Sequence, residues 1–215
     1  MPLTVKPRGI LFHILDVLLN IVIIITVVAV IRTFIVSPFQ VEGNSMDTTL
    51  ANREYIVINK FRYLFGDPRR GDIVVFRPPT DHSKYYVKRV IGLPGETIVI
   101  KDGFVYLRNP LNGVDTKITE ESYLNAVNFG NTYKYPVSSR NAEEEVFVVP
   151  PDQYFLLGDN RMLSLDSRSF AYIGHQSSAF VPRSDVKGSV WFVALPISKI
   201  QAIEPPQYDL SPALP

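Results

Sequence analysis

From Val17 to Val36 the chain reads VLLNIVIIITVVAVIRTFIV, an apolar run of twenty residues broken mainly by Asn20, Thr26, Arg32 and Thr33. At ~1.5 Å per helical residue such a run reaches ~30 Å, the hydrocarbon thickness of a bilayer. Its β-branched composition suits a strand, but strands run about 3–10 residues and this run is far longer. The pattern predicts one membrane-spanning helix over 17–36, with an interfacial helix start inside 1–16. His13, Asp16 and Asn20 fall on one face at its beginning, placed to meet the interface or a partner, and Arg32 can snorkel to the far side. Lys6 and Arg8 resemble the basic start of a cleaved signal sequence, yet no small-x-small cleavage site follows, so an uncleaved anchor is expected. The same two cations, set against Arg32, place the amino terminus on the cytoplasmic side.

Beyond the span the period changes. EYIVIN (54–59), DIVVFR (72–77), YYVKRVIG (85–92), ETIVIK (96–101), FVYLR (104–108), EVFVV (145–149), YFLLG (154–158) and SVWFVAL (189–195) are short runs rich in Val, Ile, Tyr and Phe. Turn residues separate them, and Asp102-Gly103 between two of the runs is a hairpin signal. No amphipathic helical period of useful length intervenes. The expectation is an all-β domain over 37–200 with a single amino-terminal helix. Residues 109–144 are polar and Asn-rich and read as a partly mobile cap or excursion from the sheet. Residues 201–215, ending EPPQYDLSPALP, read as a disordered proline-rich tail.

Charge then removes several function classes. Lys plus Arg number 22 against 21 Asp plus Glu, so the basic excess of a nucleic-acid binder is missing, as is a polybasic membrane-targeting run. With no cysteine in the chain, disulfides, thiolate nucleophiles and Cys-ligated zinc are excluded. No metal or other cofactor is expected.

Candidate chemistry begins at EGNSMDTTL (42–50), a turn-prone stretch that sets Ser45 just beyond the apolar run. Most serines in such loops are structural. A nucleophilic one needs a base, and the three histidines offer little: His13 is in the span, and His82 and His175 sit in loops without motif context. The other base that serves serine is a neutral lysine. Lys88 interrupts the apolar, aromatic run YYVKRVIGLPGE, and in a strand it shares a face with Tyr86 and Val90. Burial there would strip water from the ammonium and lower its pKa. The bland alternative is a solvent-facing strand lysine. A third stretch, GDNRMLSLDSR (158–168), is either a polar turn tied by an Asp166–Arg168 ion pair or a loop whose Ser164 hydroxyl holds the catalytic amine.

Taken together, SPFQVEGNSMDTTL, RRGDIVVFRPP, YYVKRVIGLPGETI, LLGDNRMLSLDSR and FVPRSDVKGSVWF resemble, in order and spacing, the successive boxes of the type I signal peptidases, from about Thr33 to Pro196. The resemblance implies a β-rich peptidase domain, with antiparallel, partly barrel-like sheets, behind a membrane anchor. It makes Ser45 the acyl-enzyme nucleophile, Lys88 the general base and Ser164 the serine that orients the lysine. Asp166 and Arg168 match a buttressing ion pair, and the Ser45 N–H would supply part of an oxyanion hole. Phe39, Val41, Met46, Leu50, Tyr86 and Val87 fall where the family lines shallow pockets for small side chains. The implied substrates are the signal peptides of preproteins, cut where they leave the bilayer of the plasma membrane, with the catalytic domain extracytoplasmic.

Departures from that pattern are visible. Gly43 stands where some members carry a serine that completes the oxyanion hole, and Thr48 replaces a proline, which is expected to loosen the turn after Ser45. Met162 and Leu163 are unusually apolar for their box, and the connection after Arg168 is long. Two other classes fit less well. An inactive relative serving pilus or secretion assembly would lack the serine or the lysine, and both are present. A self-cleaving repressor of the Ser-Lys type would carry a DNA-binding module and no membrane span.

Overall fold

The computed structural model describes residues 9–133, 144–173, 178–208 and 210. The apolar run is one helix, α1 (Ile10–Val30), that widens to π-helical geometry over Ile31–Ile35. It begins and ends earlier than the expected 17–36, and His13, Asp16 and Asn20 lie inside it. No residue of α1 is buried against the protein. By length and composition the helix Ile10–Ile35 is sufficient to cross a membrane, with 26 residues and mean hydropathy 3.0 over its most apolar window. Its polar interruptions are partly satisfied from within: the Thr26 hydroxyl donates to Val22 O at 2.8 Å.

The remainder is β-rich. The strands are β1 (Val36–Gln40), β2 (Tyr55–Asn59), β3 (Ile73–Phe76), β4 (Tyr86–Gly92), β5 (Thr97–Lys101), β6 (Phe104–Arg108), β7 (Asp115–Lys117), β8 (Glu145–Val148), β9 (Gln153–Leu157), β10 (Val181–Pro182), β11 (Val186–Leu195) and β12 (Gln201–Ala202). A large sheet runs β1-β2-β11-β3-β4-β9-β10, with β12 on β11, and a smaller one runs β7-β6-β5-β8. Every pairing is antiparallel. Each of the eight apolar runs forms a strand. Asp102 and Gly103 close the β5–β6 hairpin with φ of 52° and 81°, the positive pair that a two-residue turn of matching twist requires.

Four strands and a helix were not anticipated. Val36, the expected end of the span, opens β1, an edge strand in which Pro38 is tolerated because, among the described residues, no second strand needs its missing N–H. Also unexpected is α2 (Ser167–Ile173), so the amino-terminal helix is not alone. Asp166 caps it: the carboxylate accepts Arg168 N–H at 3.2 Å, and Ser169 Oγ accepts Asp166 N–H at 3.0 Å. This reciprocal cap stabilises a helix too short to show an amphipathic period.

The excursion and the tail are also better anchored than expected. Ile118 is fully buried beside Val105 and Phe147. Tyr208 and Leu210 pack on the same core cluster, so the part of the tail before residue 211, apart from residue 209, lies on the body. Residues 134–143, His175 and residues 211–215 lie outside the described residues.

Candidate active site

The Ser45 turn sits between β1 and β2 over a core of Val41, Met46, Leu50, Ile56, Ile58, Ile73, Val75, Val190 and Val193. Burial of Met46 and Leu50 pins the turn from below, and its backbone closes on itself through Asp47 N–H to Asn44 O at 3.0 Å and Leu50 N–H to Met46 O at 2.9 Å. From above, the loop after β9 is stitched to it: Asn160 N–H donates to Ser45 O at 3.1 Å and Asn160 Nδ2 to Asn44 O at 3.0 Å. Gly158 lets the two segments meet, since a Cβ there would collide with Ser45 O and the Ser164 side chain.

Lys88 lies in the middle of β4, opposite Val74 on β3, and is only 3 % exposed. Its Nζ is 2.6 Å from Ser45 Oγ and 2.8 Å from Val87 O, and 5.5 Å from the centre of the Tyr86 ring. Burial lowers its pKa to about 8 from 10.5, against the opposing pull of Asp166 and Asp159 and with help from Arg168. A charged amine donates at the 2.6 Å contact; a neutral one accepts the hydroxyl proton instead. The geometry therefore serves proton removal from Ser45 as soon as the amine is neutral.

The two carboxylates are not free to hold that charge. Burial alone would raise Asp166, but the Arg168 guanidinium, at 2.9 Å and 2.8 Å, holds it below its usual value. Asp159 is gripped by Arg89 at 2.8 Å and 2.6 Å, and also accepts the Thr49 hydroxyl at 2.5 Å.

A family model described as "Signal peptidase, peptidase S26" matches residues 14–195. The chain belongs to the S26 signal peptidase family. Among its relatives, "Signal peptidase I P" of Bacillus subtilis subsp. natto is 35 % identical over 181 residues, 84 % of this chain and 88 % of that protein. Signal peptidase I of Rickettsia prowazekii (strain Madrid E) is 36 % identical over 182 residues, 67 % of this chain and 69 % of its own length. A solved signal peptidase I of Enterococcus faecalis V583 is 32 % identical, with a TM-score of 0.40 over 58 % of this chain and 97 % of that one. Membership makes the protein a serine peptidase, a hydrolase, with the all-β fold that the strand pattern predicted.

Within this S26 peptidase the expected site residues are not all where the resemblance put them. Phe39, Val41, Tyr86 and Val87 line a groove of about 580 Å³ that also contains Ser45 and Lys88. Met46 and Leu50 do not line it; they are buried at 1 % and 0 % exposure in the core beneath, where a turn over a sheet must place its apolar side chains. Ser164 does not hold the amine. Its Oγ is buried next to Asp166, which it helps keep low, but makes no hydrogen bond of ordinary geometry, and the Lys88 amine is held instead by Ser45 Oγ and Val87 O. Gly43 adopts φ +88° and donates its N–H to Asn52 Oδ1 at 3.0 Å, so it has no backbone donor left for an oxyanion. Among the described residues, the Ser45 N–H makes no hydrogen bond.

Thr48 does not loosen its turn. It takes φ +93°, a conformation closed to proline, and is tied by its N–H to Asp47 Oδ1 at 3.0 Å and by its hydroxyl to Tyr123 O at 3.2 Å. Two buried ion pairs went unread in the sequence, Arg89–Asp159 and Arg161–Glu120. The only signal for Arg89 was its place beside Lys88 in an apolar strand. Among the described residues no cluster of three or more metal-ligating side chains occurs.

Proposed function

We propose that the protein is a membrane-anchored signal peptidase that removes amino-terminal signal peptides from preproteins after small residues, with Ser45 as nucleophile and Lys88 as general base. One observation carries the reading: a buried amine whose pKa is lowered to about 8 lies 2.6 Å from a serine hydroxyl in the floor of an open groove. Neutral Lys88 takes the Ser45 proton as Oγ attacks the scissile carbonyl, and the Ser45 N–H faces the oxyanion that forms. The protonated amine then gives its proton to the departing amino group. Water completes the cycle, deprotonated by the same lysine as it attacks the acyl-enzyme.

Specificity follows from the groove walls. Phe39, Val41, Ile56, Val75 and Val87 close it to shallow depressions, which suits small side chains before the cut. The extended segments at Phe39–Val41 and Tyr85–Val87 offer backbone for strand addition by the peptide. In this reading Ile10–Ile35 is the anchor in the plasma membrane, with the amino terminus cytoplasmic and the peptidase domain outside, so that Ser45 meets the substrate where it leaves the bilayer.

The test is cleavage of an Ala-x-Ala signal-peptide substrate in detergent by wild type and Ser45→Ala side by side. Loss of all cleavage in an intact, folded Ser45→Ala protein is expected; residual activity above a few per cent refutes the assignment of the nucleophile.

A further inference from the structure

We propose that Tyr123, in the segment between β7 and β8, is a positioning residue for Ser45 that acts through Thr48, and that the carboxy-terminal segment braces it through Tyr208. The proposal rests on the reading of Ser45 as nucleophile. It begins from a strained residue. Thr48, three positions after Ser45, is β-branched and yet held at φ +93°, a conformation that persists only where its surroundings impose it. The turn's own hydrogen bonds and the burial of Met46 and Leu50 already fold this stretch. Among the described residues, the one hydrogen bond that Thr48 makes beyond its own turn is from its hydroxyl to Tyr123 O at 3.2 Å, which crosses 75 residues of sequence.

Tyr123 is itself fixed from three directions. Its hydroxyl donates to Glu120 Oε1 at 2.7 Å, and Glu120 is locked in the buried pair with Arg161, from the box that also carries Ser164. Its ring lies 3.9 Å under the Arg89 guanidinium, the residue next to Lys88. Its outer edge meets Tyr208, with ring centres 6.4 Å apart and hydroxyl oxygens at 3.4 Å. Tyr208 and Pro206 in turn close on Gly71, where an added Cβ would stand 2.9 Å from each, and Gly71 O accepts Arg89 Nη1 at 3.0 Å. Tyr123 thus touches the turn that carries the nucleophile and the neighbour of the base, and the tail holds it against both. Because small displacements of a reacting group cost far more rate than binding, the tie acts on turnover and leaves substrate affinity alone.

The experiment measures kcat and KM of the full chain in detergent on an Ala-x-Ala peptide, with thermal melting in parallel. Thr48→Val keeps the branched shape and loses the hydroxyl; kcat is expected to fall about 3- to 10-fold with KM within about twofold, the range of one hydrogen bond. Thr48→Ser restores turnover. Thr48→Gly relieves the backbone strain, so its melting temperature holds or rises while kcat still falls. Tyr208→Ala lowers kcat similarly, and combined with Thr48→Val it is no worse than the more damaging single change, because both cut the same tie. Wild-type kcat in Thr48→Val, recovery of kcat in Thr48→Gly, or a loss confined to KM overturns the proposal. Ser45→Ala separates the two readings: activity in that variant removes the nucleophile and the tie together, whereas an inactive Ser45→Ala beside a fully active Thr48→Val removes the tie alone.

Discussion

The pH dependence of cleavage tests the proposed base most directly. A lysine with its ordinary value of 10.5 would be neutral in about one molecule in three thousand at pH 7, whereas one at about 8 is neutral in about one in eleven. Burial of Lys88 therefore raises the reactive fraction about 300-fold, the equivalent of about 3 kcal/mol. Because kcat/KM reports the free enzyme, it should rise with unit slope and level off near pH 8. Substrate that excludes more water from the groove pushes the amine lower still, so the limb in kcat should lie below the limb in kcat/KM. The assay is cleavage of a fluorogenic Ala-x-Ala peptide from pH 6 to 10 in buffers of constant ionic strength. Lys88→Arg should be inactive although it keeps the charge, since a guanidinium does not release its proton in this range. His82 pairs with Asp185 at 3.1 Å on an exposed surface, so His82→Gln should leave the limb in place, as should His175→Gln. A limb at pH 10 or above, an active Lys88→Arg, or a limb that disappears with either histidine would refute the reasoning.

The buried lysine should also be visible in stability. Between about 8 and 10.5 the unfolded chain keeps the Lys88 proton that the folded protein has released, so stability rises with pH across that window, by about 3 kcal/mol in all. Denaturant titrations at pH 7, 8, 9 and 10 should show this slope in wild type and lose it in Lys88→Met; equal slopes in the two proteins contradict the burial. Ser164→Ala removes a hydroxyl whose contact with Asp166 falls short of ordinary hydrogen-bond geometry, so its melting temperature should change by less than about 4 °C, and a larger fall would reveal a full bond to Asp166 in solution. Substrates with Ala or Gly before the cut should be processed, and efficient cleavage after Phe or Leu would contradict the shallow walls formed by Val41 and Val87.

Strand content was legible because short runs of β-branched and aromatic residues and turn chemistry are local signals; Asp102-Gly103 is the clearest case, its two residues supplying both positive φ angles of the hairpin. The helix-to-strand junction was not legible. Ile35 and Val36 are equally apolar, one ending the helix and the other opening an edge strand, and nothing in residue type separates a lipid-facing position from a sheet-facing one. The same limit applies to the groove. The family resemblance assigned Met46 and Leu50 to its lining, but a turn laid across a sheet has two sides, and these face the core. Long-range ion pairs were hidden for a different reason. Arg89 and Asp159 are 70 residues apart and Arg161 and Glu120 are 41 apart, so no local pattern distinguishes them from charges on a solvated face.

Those pairs change how the site has to be understood. β4 carries two adjacent cations that point to opposite faces, both almost wholly buried, and the sheet treats them in opposite ways. Arg89 receives a bidentate carboxylate and keeps its charge permanently. Lys88 receives only neutral oxygens, Ser45 Oγ and Val87 O, and its charge becomes expensive. Asp159 and Asp166 both pull the Lys88 pKa upward, and each is already engaged by a guanidinium. Had either carboxylate been left unpaired beside the amine, it would have stabilised the ammonium and cancelled the effect of burial. The arginines of the YVKR and DSR boxes therefore do more than hold loops together. By occupying the nearby carboxylates they keep the low dielectric around Lys88 the dominant influence, which is what the proposed role of Lys88 as a base near neutral pH requires.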